Sequence, residues 1–115
     1  MVAMAVVSTG TYQNPILEGD YPDPGAIFVD GLFYVATTGE SFPMHRSADL
    51  ETWTPSGSVF TVEESPQWAS GDFWAPEIHA IGGRFVVFFT ARDFNGTLCI
   101  GAATSDFVTG PFLDI

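Results

Sequence analysis

The sequence predicts an all-β fold of the β-propeller kind, with about two four-stranded blades in this chain. Three observations carry that reading. A strand–turn–strand unit occurs twice, the residues from Pro24 recurring from Pro76 at a constant offset of 76 − 24 = 52. Each copy holds a two-residue turn, Asp30-Gly31 and Gly82-Gly83, of the type that closes tight hairpins by taking positive φ at both central residues. The composition, with 11 Phe, 12 Gly and 8 Pro in 115 residues and no lysine, suits short strands and turns and leaves few helix formers.

The first unit opens at Pro24, because proline has no N–H to give to a sheet and sits at a strand's start or edge. A short strand follows, then the Asp30-Gly31 turn, then a longer aromatic strand through Phe33-Tyr34-Val35. Ser47-Ala48-Asp49-Leu50 supplies a turn-forming Asp, and Trp53-Thr54-Pro55 leads into an outer strand. The second unit repeats this from Pro76 through Gly82-Gly83 and Phe85-Val86-Val87-Phe88-Phe89. Thr104-Ser105-Asp106-Phe107 then matches Ser47-Ala48-Asp49-Leu50, the offset having grown to 104 − 47 = 57, and Gly110-Pro111-Phe112 leads into the last strand. Four strands in roughly fifty residues is the size of a propeller blade.

Blade one is expected over about residues 13–60 and blade two over about 68–115, with residues 61–67 as the loop between them. The alternative is two unrelated hairpins in a β-sandwich, which accounts less well for the shared register of proline, turn, aromatic strand and Asp turn. Two blades cannot close a ring, and repeat units need about three or more neighbours to bury their faces. The expectation is the N-terminal part of a longer propeller, or one completed by a partner.

Composition narrows the function classes. Apolar residues make up 46 % and charged residues 15 %, so the chain expects to bury a core. The formal net charge is −11, with Arg46, Arg84 and Arg92 as the full cations. A field of that sign repels phosphate, which argues against nucleic acid and anionic membranes as partners and leaves neutral ligands unpenalised. Most of the 14 acids read as solvated surface. Cys99 is the single cysteine, so no intrachain disulfide forms, and its apolar neighbours suggest a small core residue. The apolar stretch Met1–Val7 is too short for a membrane span and has no basic n-region. It reads as a signal-peptide remnant or a false start, and the expected setting is extracellular.

The residue that points to chemistry is Asp23, clamped between prolines in Tyr21-Pro22-Asp23-Pro24. The second unit opens with Phe73-Trp74-Ala75-Pro76-Glu77, placing an aromatic ring and another acid at the matching strand entrance. Glycosidases of the two-carboxylate type use one acid to protonate the leaving oxygen and a second as base or nucleophile. A base must be ionised and held in place, and a prolyl-flanked aspartate meets the second need. A lone Pro-Asp-Pro is also an ordinary turn.

The ordered set Asn14-Pro15-Ile16-Leu17, Asp20-Tyr21-Pro22-Asp23-Pro24, Phe33-Tyr34, Ser47-Ala48-Asp49-Leu50, Trp53 and Trp74-Ala75-Pro76-Glu77-Ile78 resembles the start of a family 43 glycoside hydrolase. The resemblance runs from about Gln13 to the C-terminus. It implies a five-bladed β-propeller with its site in the central funnel, and inverting hydrolysis of arabinose- or xylose-containing plant polysaccharides or oligosaccharides. By this resemblance Asp23 is the catalytic base. Trp74 becomes an aromatic wall of the sugar subsite, or alternatively a core cap. Glu77 lines the pocket. Phe42 falls where the family places an aromatic loop beside the funnel, although a packing role suits it equally. His45 and His79 have no metal-ligand spacing and no nearby partner in the sequence, so neither a metal nor another cofactor is expected here.

The family's general acid and its pKa-tuning aspartate belong to later blades. Asp93, Asp106 and Asp114 do not match those motifs, so the chain is expected to be inactive alone. The expected partners are a carbohydrate substrate and the missing C-terminal blades. The alternative is a non-catalytic sugar-binding propeller in which Asp23 only hydrogen-bonds a hydroxyl.

Overall fold

The computed structural model describes residues 10–115, so the Met1–Val7 stretch and its reading as a leader lie outside the described residues. Two four-stranded antiparallel sheets make up the fold. The first contains β1 (Gly25–Val29), β2 (Leu32–Ala36), β3 (Pro43–Ser47) and β4 (Thr54–Ser58) in that spatial order. The second contains β5 (Ala69–Ile81), β6 (Arg84–Asp93), β7 (Leu98–Ser105) and β8 (Leu113–Asp114), again in chain order. Each is an up-and-down meander, the form of a propeller blade.

Both hairpin turns take the conformation that their sequences demand. Asp30 and Gly31 have φ of 50° and 83°, and Gly82 and Gly83 have 59° and 78°. These turns pair Val29 with Leu32 and Ile81 with Arg84, so the two units superimpose at the offset of 52.

Three expectations need correction. The first strand is not the shorter one in either unit: β1 and β2 each have 5 residues, while β5 has 13 against 10 in β6. Pro76 does not stop its strand as Pro24 does. It sits where the register shifts between Trp74 and Glu77, and a bulge there removes the need for the missing N–H. The second half of the repeat is displaced by 58 residues rather than 57. Phe33 faces Ser47 and Phe85 faces Ser105, and 105 − 47 = 58. Ser47 Oγ accepts from the Asp49 and Leu50 amides, as Ser105 Oγ accepts from Phe107, so the two buried serines are the true counterparts. Asp106 is therefore no match for Asp49, and it pairs instead with Arg84 at 2.9 Å.

The core lies between the two sheets. Tyr34, Ala36, Phe42, Met44, Val59 and Phe60 come from the first blade, and Ile78, Val87, Phe89, Ala91 and Ala103 from the second. At its centre the Phe42 ring lies 5.4 Å from that of Phe89 and 5.5 Å from that of Phe73, the latter edge-on. Such offset and T-shaped pairs suit the ring quadrupole. The inner strands β1 and β5 approach closely because Gly25 has no side chain. A Cβ there would stand 2.0 Å from the Pro76 carbonyl oxygen. Cys99 is only half-buried, its thiol 3.6 Å from the Thr97 carbonyl, so it is not the core residue that its apolar neighbours suggested.

Candidate active site

The entrance to β1 at Asp23 and the bulge within β5 at Ala75-Pro76 meet at the blade–blade seam. Asp23 precedes β1 and has φ of 50°, a strained value for a residue with a side chain. The residue 52 places on, Ala75, has φ of 49°. The repeat thus builds the same left-handed kink before a proline twice, once with a carboxylate and once without.

Residues after β2 tie these kinks together. The Thr38 hydroxyl donates to Asp23 Oδ2 at 2.8 Å and accepts from the Ala75 amide at 2.8 Å. The Thr38 amide donates to the Pro22 carbonyl at 3.0 Å, and the Gly39 amide to the Phe73 carbonyl at 3.2 Å. Asp23 is exposed, so its fixed carboxylate remains open to solvent. No other hydrogen-bond partner holds that carboxylate among the described residues.

Trp74 stands beside this seam. It is 39 % exposed and not part of the core cluster, so the core-cap alternative does not describe it. With Thr38, Gly39, Glu40 and residues 70–73 it lines a cleft. Asp72 in the bulged part of β5 is braced by Arg92, 2.6 Å away, and Arg92 also donates to the Gly96 carbonyl. Arg92, near the end of β6, therefore holds the cleft wall that carries Trp74.

Glu77 occupies a second, shallow groove with Pro24, Gly25, Ala26, Ile78 and His79. Its carboxylate lies 3.2 Å from His79 Nε2, so His79 does have a partner, two residues away on the same strand face. His45 instead meets Tyr21 edge-on at 5.0 Å. Phe42 is fully buried and packs the core, so its ring cannot wall a sugar site. Asp93 caps its own turn through the Asn95 and Thr97 amides, and Asp114 accepts from the Trp68 indole. Both are occupied structurally. Among the described residues no group of three or more His, Cys, Asp or Glu side chains could hold a metal.

Thr38 is the residue that sequence reasoning missed. A signal for it existed: Asp23 lies seven residues before Asp30, and Thr38 lies seven after Gly31. Counting outward from the turn puts the two opposite one another, one step past the Gly25–Ala36 pair on that face.

Paired four-stranded blades define a β-propeller protein, and the Asp23 carboxylate and the Trp74 ring mark a candidate site where they meet. The chain belongs to glycosyl hydrolases family 43, whose model matches residues 12–115. It is 32 % identical over 121 residues to a xylan 1,3-beta-xylosidase of a Vibrio species, covering 90 % of this chain and 22 % of that protein. It is 31 % identical over 113 residues to the non-reducing end alpha-L-arabinofuranosidase BoGH43B of Bacteroides ovatus, covering 90 % and 21 %. The crystal structure of a thermostable family-43 glycoside hydrolase superimposes with a TM-score of 0.82 at 30 % identity, over 91 % of this chain and 35 % of that one. The chain thus spans about a fifth of the length of these two relatives.

Proposed function

We propose that this chain forms the opening two blades of a larger hydrolase domain in which Asp23 is the general base of an inverting glycoside hydrolysis. The substrates are arabinose- or xylose-containing plant polysaccharides or their oligosaccharides. Family membership and the names of the two relatives, one a xylosidase and one an arabinofuranosidase, support that substrate class. Polymers of this kind are met outside the cell, which agrees with an extracellular setting.

The observation that carries the reading is the contrast between Asp23 and Ala75. The fold makes the same kink with alanine at the second site, so the turn itself needs no acid. A carboxylate present only at the first site, strained, exposed and held by one hydroxyl, is built for chemistry rather than for the turn.

In the reaction, Asp23 takes a proton from a water whose oxygen attacks the anomeric carbon. The bond to the leaving oxygen breaks as a second carboxylic acid, from the remaining blades, gives that oxygen its proton. About 6.5–9.5 Å between the two carboxyl groups leaves room for the water. The exposed Trp74 indole offers a flat apolar face for sugar C–H groups, and Glu77 in its groove offers acceptors for hydroxyls. General acid catalysis contributes about 10²–10⁴-fold, so without the acid and the rest of the pocket the chain alone is inactive.

Asp23→Asn in the full-length protein tests the assignment. It keeps the shape and removes the base, so turnover should be lost while oligosaccharide binding, read by calorimetry, stays close to wild type. Turnover persisting in that variant would remove Asp23 from the mechanism. Turnover absent even from the wild type, with binding retained, would favour the sugar-binding propeller.

A further inference from the structure

We infer that Thr38 is the positioning residue for Asp23, and that it makes the orientation of the base depend on the docking of blade two. The inference rests on the reading of Asp23 as the base. A threonine hydroxyl has one proton to donate and lone pairs to accept with. The Ala75 amide can only donate, so it occupies a lone pair of Thr38 Oγ1. The single hydroxyl proton is thereby directed at Asp23 Oδ2, 2.8 Å away. A polarised chain of this kind strengthens each bond in it.

Three features set Thr38 apart from an ordinary surface threonine. Its amide holds the Pro22 carbonyl, so one residue fixes both the backbone that enters Asp23 and the carboxylate at its end. Its partner Ala75 belongs to β5, in the other sheet, so the bond forms only when the blades are docked. The next residue, Gly39, bonds Phe73 on the far side of Trp74, so the same two residues set the base and flank the cleft that Trp74 lines. Engaging Oδ2 leaves Oδ1 without a hydrogen bond from the described residues, which frees that oxygen to take a proton from water. Misplacing a reacting group by about an ångström costs on the order of 100-fold in rate, and no other side chain among the described residues holds the Asp23 carboxylate.

The test uses the full-length protein and three variants on a chromogenic pentoside, with KM and kcat separated. Thr38→Val keeps the shape and removes the hydroxyl, so kcat should fall about 10- to 100-fold with KM within about threefold of wild type. Thr38→Ser keeps the hydroxyl and should restore kcat to within about threefold of wild type, a rescue that a purely structural methyl contact would not produce. Asp23→Asn serves as the reference. A dead Asp23→Asn beside a Thr38→Val of wild-type kcat would overturn the positioning role and leave the base reading intact. An active Asp23→Asn would instead overturn the base reading. Should Thr38→Val not fold, Thr38→Ser still decides: kcat lost despite the retained hydroxyl would contradict the inference.

Discussion

Asp49 and Asp23 show how differently two aspartates in turns can be used. Asp49 accepts from the amides of Glu51 and Thr52 and from the Ser47 hydroxyl. Those donors, the Thr52 amide first and then the Glu51 amide, lower its pKa from 3.8 to about 2. The folded pKa lies below the unfolded one, so the stabilisation is complete above about pH 4 and is lost as pH falls through about 2. Asp49→Asn should therefore lower the thermal midpoint at neutral pH, and its deficit should shrink on acidification from pH 4 to pH 2. A deficit independent of pH across that window would mean that the charge plays no part. Asp23 has one side-chain donor, and its sequence context of two prolines was enough to single it out. Its holder, Thr38, does not stand out in the sequence, because the bond between them crosses from one hairpin arm to the other and is visible only once register is counted from the turn.

At the scale of elements, the turns and the pairing of each hairpin were legible, since Asp30-Gly31 and Gly82-Gly83 leave the backbone little choice. The extension of β5 back to Ala69 was not. Proline reads as a strand boundary, and only the bulge around Pro76 lets the strand run through it. Nor did local sequence reveal which aromatic residues face inward. Phe42 follows Ser41 in a loop, both at positive φ, and that kink turns its ring into the seam against Phe60, Phe73 and Phe89. Phe42→Ala should cost about 3–5 kcal/mol of stability, measured by urea denaturation of the full-length protein. At temperatures where the variant remains folded, KM should match wild type. A raised KM with unchanged stability would instead put the ring against the sugar.

For the whole molecule, the two blades share one core and one seam, and the candidate site lies where the entrance to β1 meets the bulge of β5. Asp23 comes from the first blade, Trp74 from the second, and the Thr38–Ala75 bond joins them. The sequence resemblance anticipated the propeller class and pointed to Asp23 as the residue to test. It could not anticipate the Thr38–Ala75 hydrogen bond between the blades, because that is a property of docking rather than of either repeat. The most direct test of the account is an assay of the full-length protein beside this 115-residue chain on para-nitrophenyl α-L-arabinofuranoside and β-D-xyloside. The account predicts hydrolysis of at least one glycoside by the full-length protein and none by the chain alone. Hydrolysis by the isolated chain, or none by the full-length protein on either glycoside, would contradict it.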